Sequence, residues 1–241
     1  MNRKILPVKP ISQLFPIPMV MGCEGVSAAM MLQYNNQHIP ATEIMRHWPT
    51  HPNNPHKGYV GHHLFIKLGN YHQTIFPEAY VPFLQKYNPN IVDGTGKSLE
   101  DLKGIIDQGQ PVLIYHTNLG SKPLLRVFRF DNKPAKQVSN IHVTLLIGYD
   151  DYYYYYIDPL WSHIRRGLVL PAIIPNRKQI IKIRKEKMEY SFNSPGRKCI
   201  YVQPHSYTIE NQQQNKRFFI FYGGKVKLPA FFNTQKAQLP L

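Results

Sequence analysis

Two apolar runs set close together constrain this chain more than any other feature. Ile141-His-Val-Thr-Leu-Leu-Ile-Gly148 and Tyr152-Tyr-Tyr-Tyr-Tyr-Ile-Asp158 flank Tyr149-Asp150-Asp151, the composition of two β-strands around a turn. Residues directly opposite in a hairpin have numbers that sum to a constant. If 149–151 is a three-residue loop, the sum is 300 and His142 faces Asp158. Their Cβ atoms would then lie about 4.5–5.5 Å apart on one face. A two-residue loop would put them on opposite faces.

Helices come earlier in the chain. Gly22-Cys-Glu-Gly-Val-Ser-Ala-Ala-Met-Met-Leu-Gln-Tyr34 predicts an amphipathic helix, with Val26, Ala29, Met30 and Gln33 on one flank and Ala28, Met31 and Leu32 widening it. Asn35-Asn36 and Pro40 end it. Ser98-Leu-Glu-Asp101 resembles a capping box, opening a helix whose Leu99, Leu102, Ile105 and Ile106 share a face. Gly109 stops that helix, and Pro111–His116 reads as a strand. Helices first and an antiparallel sheet later is the α+β order.

Cys23 stands at the start of the first helix. Backbone N–H groups and the helix dipole there favour a thiolate, and Gly22 leaves room for a substrate carbonyl to approach the sulfur. A free cysteine is more often a small core residue. Likewise a histidine at a strand start is more often structural, and Asp-Pro is a common turn. Taken together, Cys23, His142 and Asp158 offer a thiol nucleophile, an imidazole base and a carboxylate that orients it.

The ordered set of motifs is recognisable. Gly22-Cys23-Glu24 with Ser27 and Met30, Ser98 to Lys103, Ile106-Asp107-Gln-Gly-Gln-Pro-Val112, His142 through Gly148-Tyr-Asp150, and Asp158-Pro-Leu160 resemble the stand-alone relatives of the bacteriocin-processing, double-glycine cysteine peptidases of the papain-like superfamily. The resemblance covers roughly residues 5–165. It implies a papain-like cysteine peptidase fold, with an N-terminal nucleophile helix packed on an antiparallel sheet. It also implies Cys23 as nucleophile, His142 as general base, Asp158 as its orienter, and an upstream glutamine, matched by Gln13, as oxyanion-hole donor. No cofactor or metal is implied; the substrate is a peptide or acyl-amide. The Gln13–Cys23 spacing is longer than usual in the family, so the lead-in must bulge around Pro16 and Pro18.

Charge divides the chain. The net charge is +15, yet residues 1–162 carry only +3 and residues 163–241 carry +12. The expected organisation is therefore a peptidase domain at 1–165 and a basic, β-rich C-terminal extension at 166–241, which nothing in the family explains. Lys198–Val202 and Arg217–Tyr222 have strand composition, and Gly223-Gly224 before Lys225–Leu228 reads as a hairpin. Arg177–Lys187 fits a strand with a charged face or a short basic helix equally well. The extension offers a surface for an acidic partner; no nucleic-acid-binding motif accompanies it, so nucleic acid is the less favoured partner.

Other signals are weaker. Two cysteines, Cys23 and Cys199, are too few for a disulfide scaffold. No stretch approaches the roughly 20 apolar residues of a membrane span, and prolines break the basic N-terminus before a secretion signal could form. The expected location is the cytoplasm, or outside the cell for a mature secreted form. His47, His51, His56, His62 and His63 are spaced irregularly among prolines, unlike zinc ligands, and their loop, with Trp48 and Tyr59, reads as a lid or substrate wall. Three functions fit the residues: a cysteine peptidase or amidase working through a Cys23 thioester, an acyltransferase using the same thioester, and a non-catalytic peptide- or leader-binding module.

Overall fold

The computed structural model describes residues 3–165 and 168–204. In chain order its elements are β1 (Lys4–Ile5), α1 (Cys23–Tyr34), α2 (Ala41–His47), α3 (Pro77–Leu84), β2 (Ile91–Asp93), α4 (Leu99–Asp107), β3 (Val112–Thr117), β4 (Leu125–Phe130), β5 (Lys133–Val138), β6 (Ile141–Tyr149), β7 (Tyr153–Ile157), β8 (Trp161–Arg165), β9 (Leu168–Pro171), β10 (Ile180–Arg184), α5 (Lys185–Asn193) and β11 (Cys199–Val202). One antiparallel sheet runs β10-β7-β6-β3-β11-β2, with β1 added to β6. Hairpins β4–β5 and β8–β9 form separate two-stranded sheets. This is the expected mixture of helices and antiparallel sheet.

Helix α1 differs from its expected form. It is buried on every side from Glu24 to Leu32, because it packs against β6 and β3 as well as α2. An all-round apolar sequence suits a helix through the core, not a surface stripe. Gly22 serves this packing instead of making room for substrate. A Cβ there would lie 2.8 Å from Met19 Cβ and 3.1 Å from Met45 Sδ, so the space is filled by the protein itself.

Helix α4 is built as its sequence predicts. Ser98 Oγ accepts from the Asp101 N–H at 3.1 Å, Asp101 Oδ2 accepts from the Ser98 N–H at 2.7 Å, and Leu99, Leu102, Ile105 and Ile106 are buried. Gly109, at φ +85°, ends it in the left-handed conformation.

The β6–β7 hairpin has a different register from the one expected. Tyr149 pairs with Tyr154 and Gly148 with Tyr155, a sum of 303, so four residues, 150–153, lie between the last paired positions. Ile147 is then left unpaired in a β-bulge, after which Leu146 pairs with Tyr156 and Leu145 with Ile157, a sum of 302. Continued, this register sets Asp158 opposite Thr144, two residues from His142. An even sum keeps His142 and Asp158 on one face. They are diagonal neighbours, and the bulge restores the parity that the longer loop would have broken.

The change in charge after Ser162 is not the edge of the fold. Strand β10 pairs with β7, and β11 lies between β3 and β2 in the main sheet. Cys199, Ile200 and Val202 join the core. Composition misplaced the boundary because the solvent-facing positions here, such as Lys182 and Arg184, are basic while Ile181 and Ile183, which alternate with them, are buried. Arg177–Lys187 is strand and helix in turn, β10 giving way to α5 at Lys185. The strand and hairpin expected at 217–228 lie outside the described residues.

Trp48 and Tyr59 stack at 4.1 Å between ring centroids and are both buried, so they belong to the core and not to a lid. Among the described residues no cluster of three or more His, Cys, Asp or Glu side chains could hold a metal ion, and no helix is long and apolar enough to cross a membrane.

Candidate active site

Cys23 is the first residue of α1, and two side chains farther along that helix fix where it lies. Ser27 Oγ donates to the Val143 carbonyl at 3.2 Å, tying the second turn to the strand residue beside His142. Met30 Sδ accepts from the Ile11 N–H at 3.3 Å, holding the chain that leads to Gln13. Both positions belong to the ordered motif set, and both have mechanical reasons to be there.

His142 and Asp158 meet directly. His142 Nε2 lies 2.7 Å from Asp158 Oδ1, with His142 6% exposed and Asp158 fully buried. The same oxygen accepts from the Leu160 and Trp161 N–H groups at 2.9 and 3.0 Å, so the turn that follows β7 orients the carboxylate. With Nε2 engaged, Nδ1 is the nitrogen left to exchange a proton. Gln179, fully buried, braces this corner: its Nε2 donates to the carbonyls of Asp158 (2.9 Å) and Ile11 (3.0 Å), and its carbonyl accepts from the Asp158 N–H at 2.9 Å.

Gln13 is drawn to the same corner. Its N–H donates to the Pro159 carbonyl at 2.9 Å, and its carbonyl accepts from the Met19 N–H at 2.7 Å. That second bond closes the base of a loop through Pro16 and Pro18 on which Phe15 and Ile17 are exposed. This is the bulge that the long Gln13–Cys23 spacing requires. Gln13 Nε2 donates to the Val20 carbonyl at 3.0 Å, which uses one of its two N–H groups.

The electrostatics around Cys23 run against the expected thiolate. Burial pushes the thiol well above its ordinary range, and Glu24 beside it pushes the same way, outweighing a backbone hydrogen bond from Val143 that favours the thiolate. The thiol donates to Glu24 Oε2 at 3.1 Å. Glu24 is 2% exposed, and its Oε1 accepts from Thr74 Oγ1 at 2.6 Å. Burial raises its carboxyl too, against the hydrogen bonds from Thr74 and Cys23. A helix N-terminus contributes less than desolvation and an adjacent carboxylate when both act on one sulfur.

Cys23, Glu24 and Thr74 line a cleft of about 160 Å³ together with Arg126 and Phe128 of β4. Sequence reasoning assigned no role to Glu24, Thr74 or Gln179. For Glu24 a signal was present: an acid on an otherwise apolar helix, with Ser27 and Ala28, not a cation, three and four residues on. Thr74 and Gln179 carry no such mark.

Residues 5–167 match the Peptidase_C39 like family. Over 148 residues the chain is 28% identical to the uncharacterized protein YvpB of Bacillus subtilis (strain 168), a match spanning 57% of this chain and only 58% of that protein. A crystal structure of a candidate C39-like peptidase from Bacillus anthracis is similar with a TM-score of 0.70 at 27% identity, over 84% of this chain and 98% of that one. The structural likeness therefore takes in more of the chain than residues 5–167, as the placement of β10 and β11 in the main sheet leads one to expect.

Proposed function

The chain belongs to the Peptidase_C39 like family, and we propose that it is a cysteine peptidase or amidase that cleaves its substrate through a thioester on Cys23. The observation that carries this reading is the buried His142–Asp158 pair, on a strand that Ser27 ties to the helix bearing Cys23.

In this reading His142, oriented by Asp158, takes the thiol proton at Nδ1, and the sulfur attacks the acyl carbon. The tetrahedral oxyanion is met by the Cys23 N–H, which as a first-turn amide has no partner within the helix, and by the second N–H of Gln13 Nε2. Collapse breaks the C–N bond, and the amine leaves with the proton from His142. Water, deprotonated by His142, then hydrolyses the thioester and regenerates the thiol. The test is turnover of a peptide library by the full-length chain, read by mass spectrometry. Cys23→Ala and His142→Ala should both reduce cleavage to background while unfolding at the wild-type temperature. Cleavage that survives Cys23→Ala would overturn the reading.

A further inference from the structure

The thiol of Cys23 is bonded to Glu24, and that carboxyl group has no place in the reaction just described. We propose that Glu24 is a positioning residue that holds the Cys23 thiol protonated at rest and releases the sulfur to His142 when its own carboxylate takes up a proton. This deepens the peptidase reading and rests on Cys23 being the nucleophile.

The geometry is specific. Both oxygens of Glu24 accept hydrogen bonds, one from Thr74 Oγ1 at 2.6 Å and one from the thiol at 3.1 Å. Its backbone carbonyl accepts from the Tyr80 hydroxyl at 3.2 Å, so the residue is held at side chain and main chain alike. Among the described residues no lysine or arginine forms an ion pair with it. An ionised carboxylate can only accept. If the thiol proton moved to His142 while Glu24 was ionised, two negative charges would stand side by side in a desolvated wall of the cleft.

A proton on Glu24 reverses the arrangement. The carboxylate gains one proton from solvent and becomes a donor, its O–H bonding to the sulfur. The S–H proton passes to His142, and a thiolate–imidazolium pair remains next to a neutral acid. No atom is gained beyond that one proton.

Other groups around the pair do not take over this role. Burial pushes up Tyr59, Tyr80 and Tyr115, which stay neutral. His72, in the same cleft wall, is pushed down to about 4 and is neutral above that. Arg126 lines the cleft from β4. Asp158 is committed to His142, which leaves His142 as the cation that forms on turnover.

The experiment is alkylation of the full-length chain by iodoacetamide from pH 4 to 10, with labelled peptides resolved by mass spectrometry. Cys199, fully buried and pushed up to about 12, is the internal reference thiol. Glu24→Gln, which can donate to the sulfur at any pH, should speed Cys23 labelling at pH 7.5 by tenfold or more and move its rise to lower pH. Thr74→Val withdraws the donor that favours the carboxylate and should shift the profile the same way by a smaller amount, which keeps the test open if the glutamine variant does not fold. A merely structural Glu24 would leave the pH dependence in place in both variants, and that result overturns the proposal. Faster labelling in a protein that cleaves nothing supports Glu24's role while removing the peptidase reading; Cys23-dependent cleavage with an unmoved profile does the reverse.

Discussion

Gln13 reaches the turn that carries Asp158 because the residues after it loop outward before the chain returns to Cys23. The Met19-to-Gln13 bond closes that excursion, and the Gln13-to-Pro159 bond ties it to the turn carrying Asp158. If its free N–H serves the oxyanion, Gln13→Ala should lower kcat by about 10²–10³ with little change in KM, measured by steady-state cleavage; a loss under tenfold would assign the oxyanion to other donors. Sequence alone gave this residue no physical mark, and only the ordered family motifs pointed to it. The meeting of His142 with Asp158 and the place of Cys23 at the start of α1 were legible from chemistry and position. The state of the thiol was not, because burial and the direction of the Glu24 side chain depend on segments 50 residues away, such as Thr74.

At the scale of elements, the two strands were plain but their alignment was not. Ile147 is as apolar as Leu145 and Leu146 beside it, so alternation carries no phase there and the bulge leaves no trace in the sequence. Capping at Ser98 was legible because a capping box is written in adjacent residues. Gly148, next to the bulge, shows a constraint that only packing reveals. A Cβ on it would sit on the Lys4 carbonyl oxygen and 2.8 Å from Ile5 Cα, where β1 pairs with β6. Gly148→Ala should therefore displace β1 and cost about 1–3 kcal/mol. Equilibrium denaturation would register it as a lower midpoint, and an unchanged midpoint would mean that β1 contributes nothing to stability.

Across the whole molecule, the charge profile suggested a division that the sheet does not respect. Residues Met1–Pro204 form one compact unit, and Gln179 bonds to both Ile11 and Asp158. A chain ending at residue 165 should lose cooperative unfolding, since β3 would lose β11 and β7 would lose β10; one ending at Pro204 should keep it. Circular dichroism melts of the two would decide, and a cooperative 1–165 fragment would restore the division at 165. Two buried histidines also make the fold acid-sensitive. His72 is pushed from the ordinary 6.5 down to about 4 and His116 to about 3, both by burial first. Well above pH 6.5 neither state is protonated at these sites. Below it the unfolded chain alone takes up protons, so stability falls with pH until the folded values are passed. For His72 this amounts to roughly 3 kcal/mol, and His72→Gln should flatten the fall in melting temperature between pH 6.5 and 4 by a matching amount. An identical slope would rule it out as a source. Among the described residues strand β10, finally, ends the order of the sheet, with Lys182 and Arg184 facing solvent. Two copies brought together along that border would align rows of like charge, so the same basic residues that obscured the domain boundary also act as a guard against strand-to-strand association between molecules.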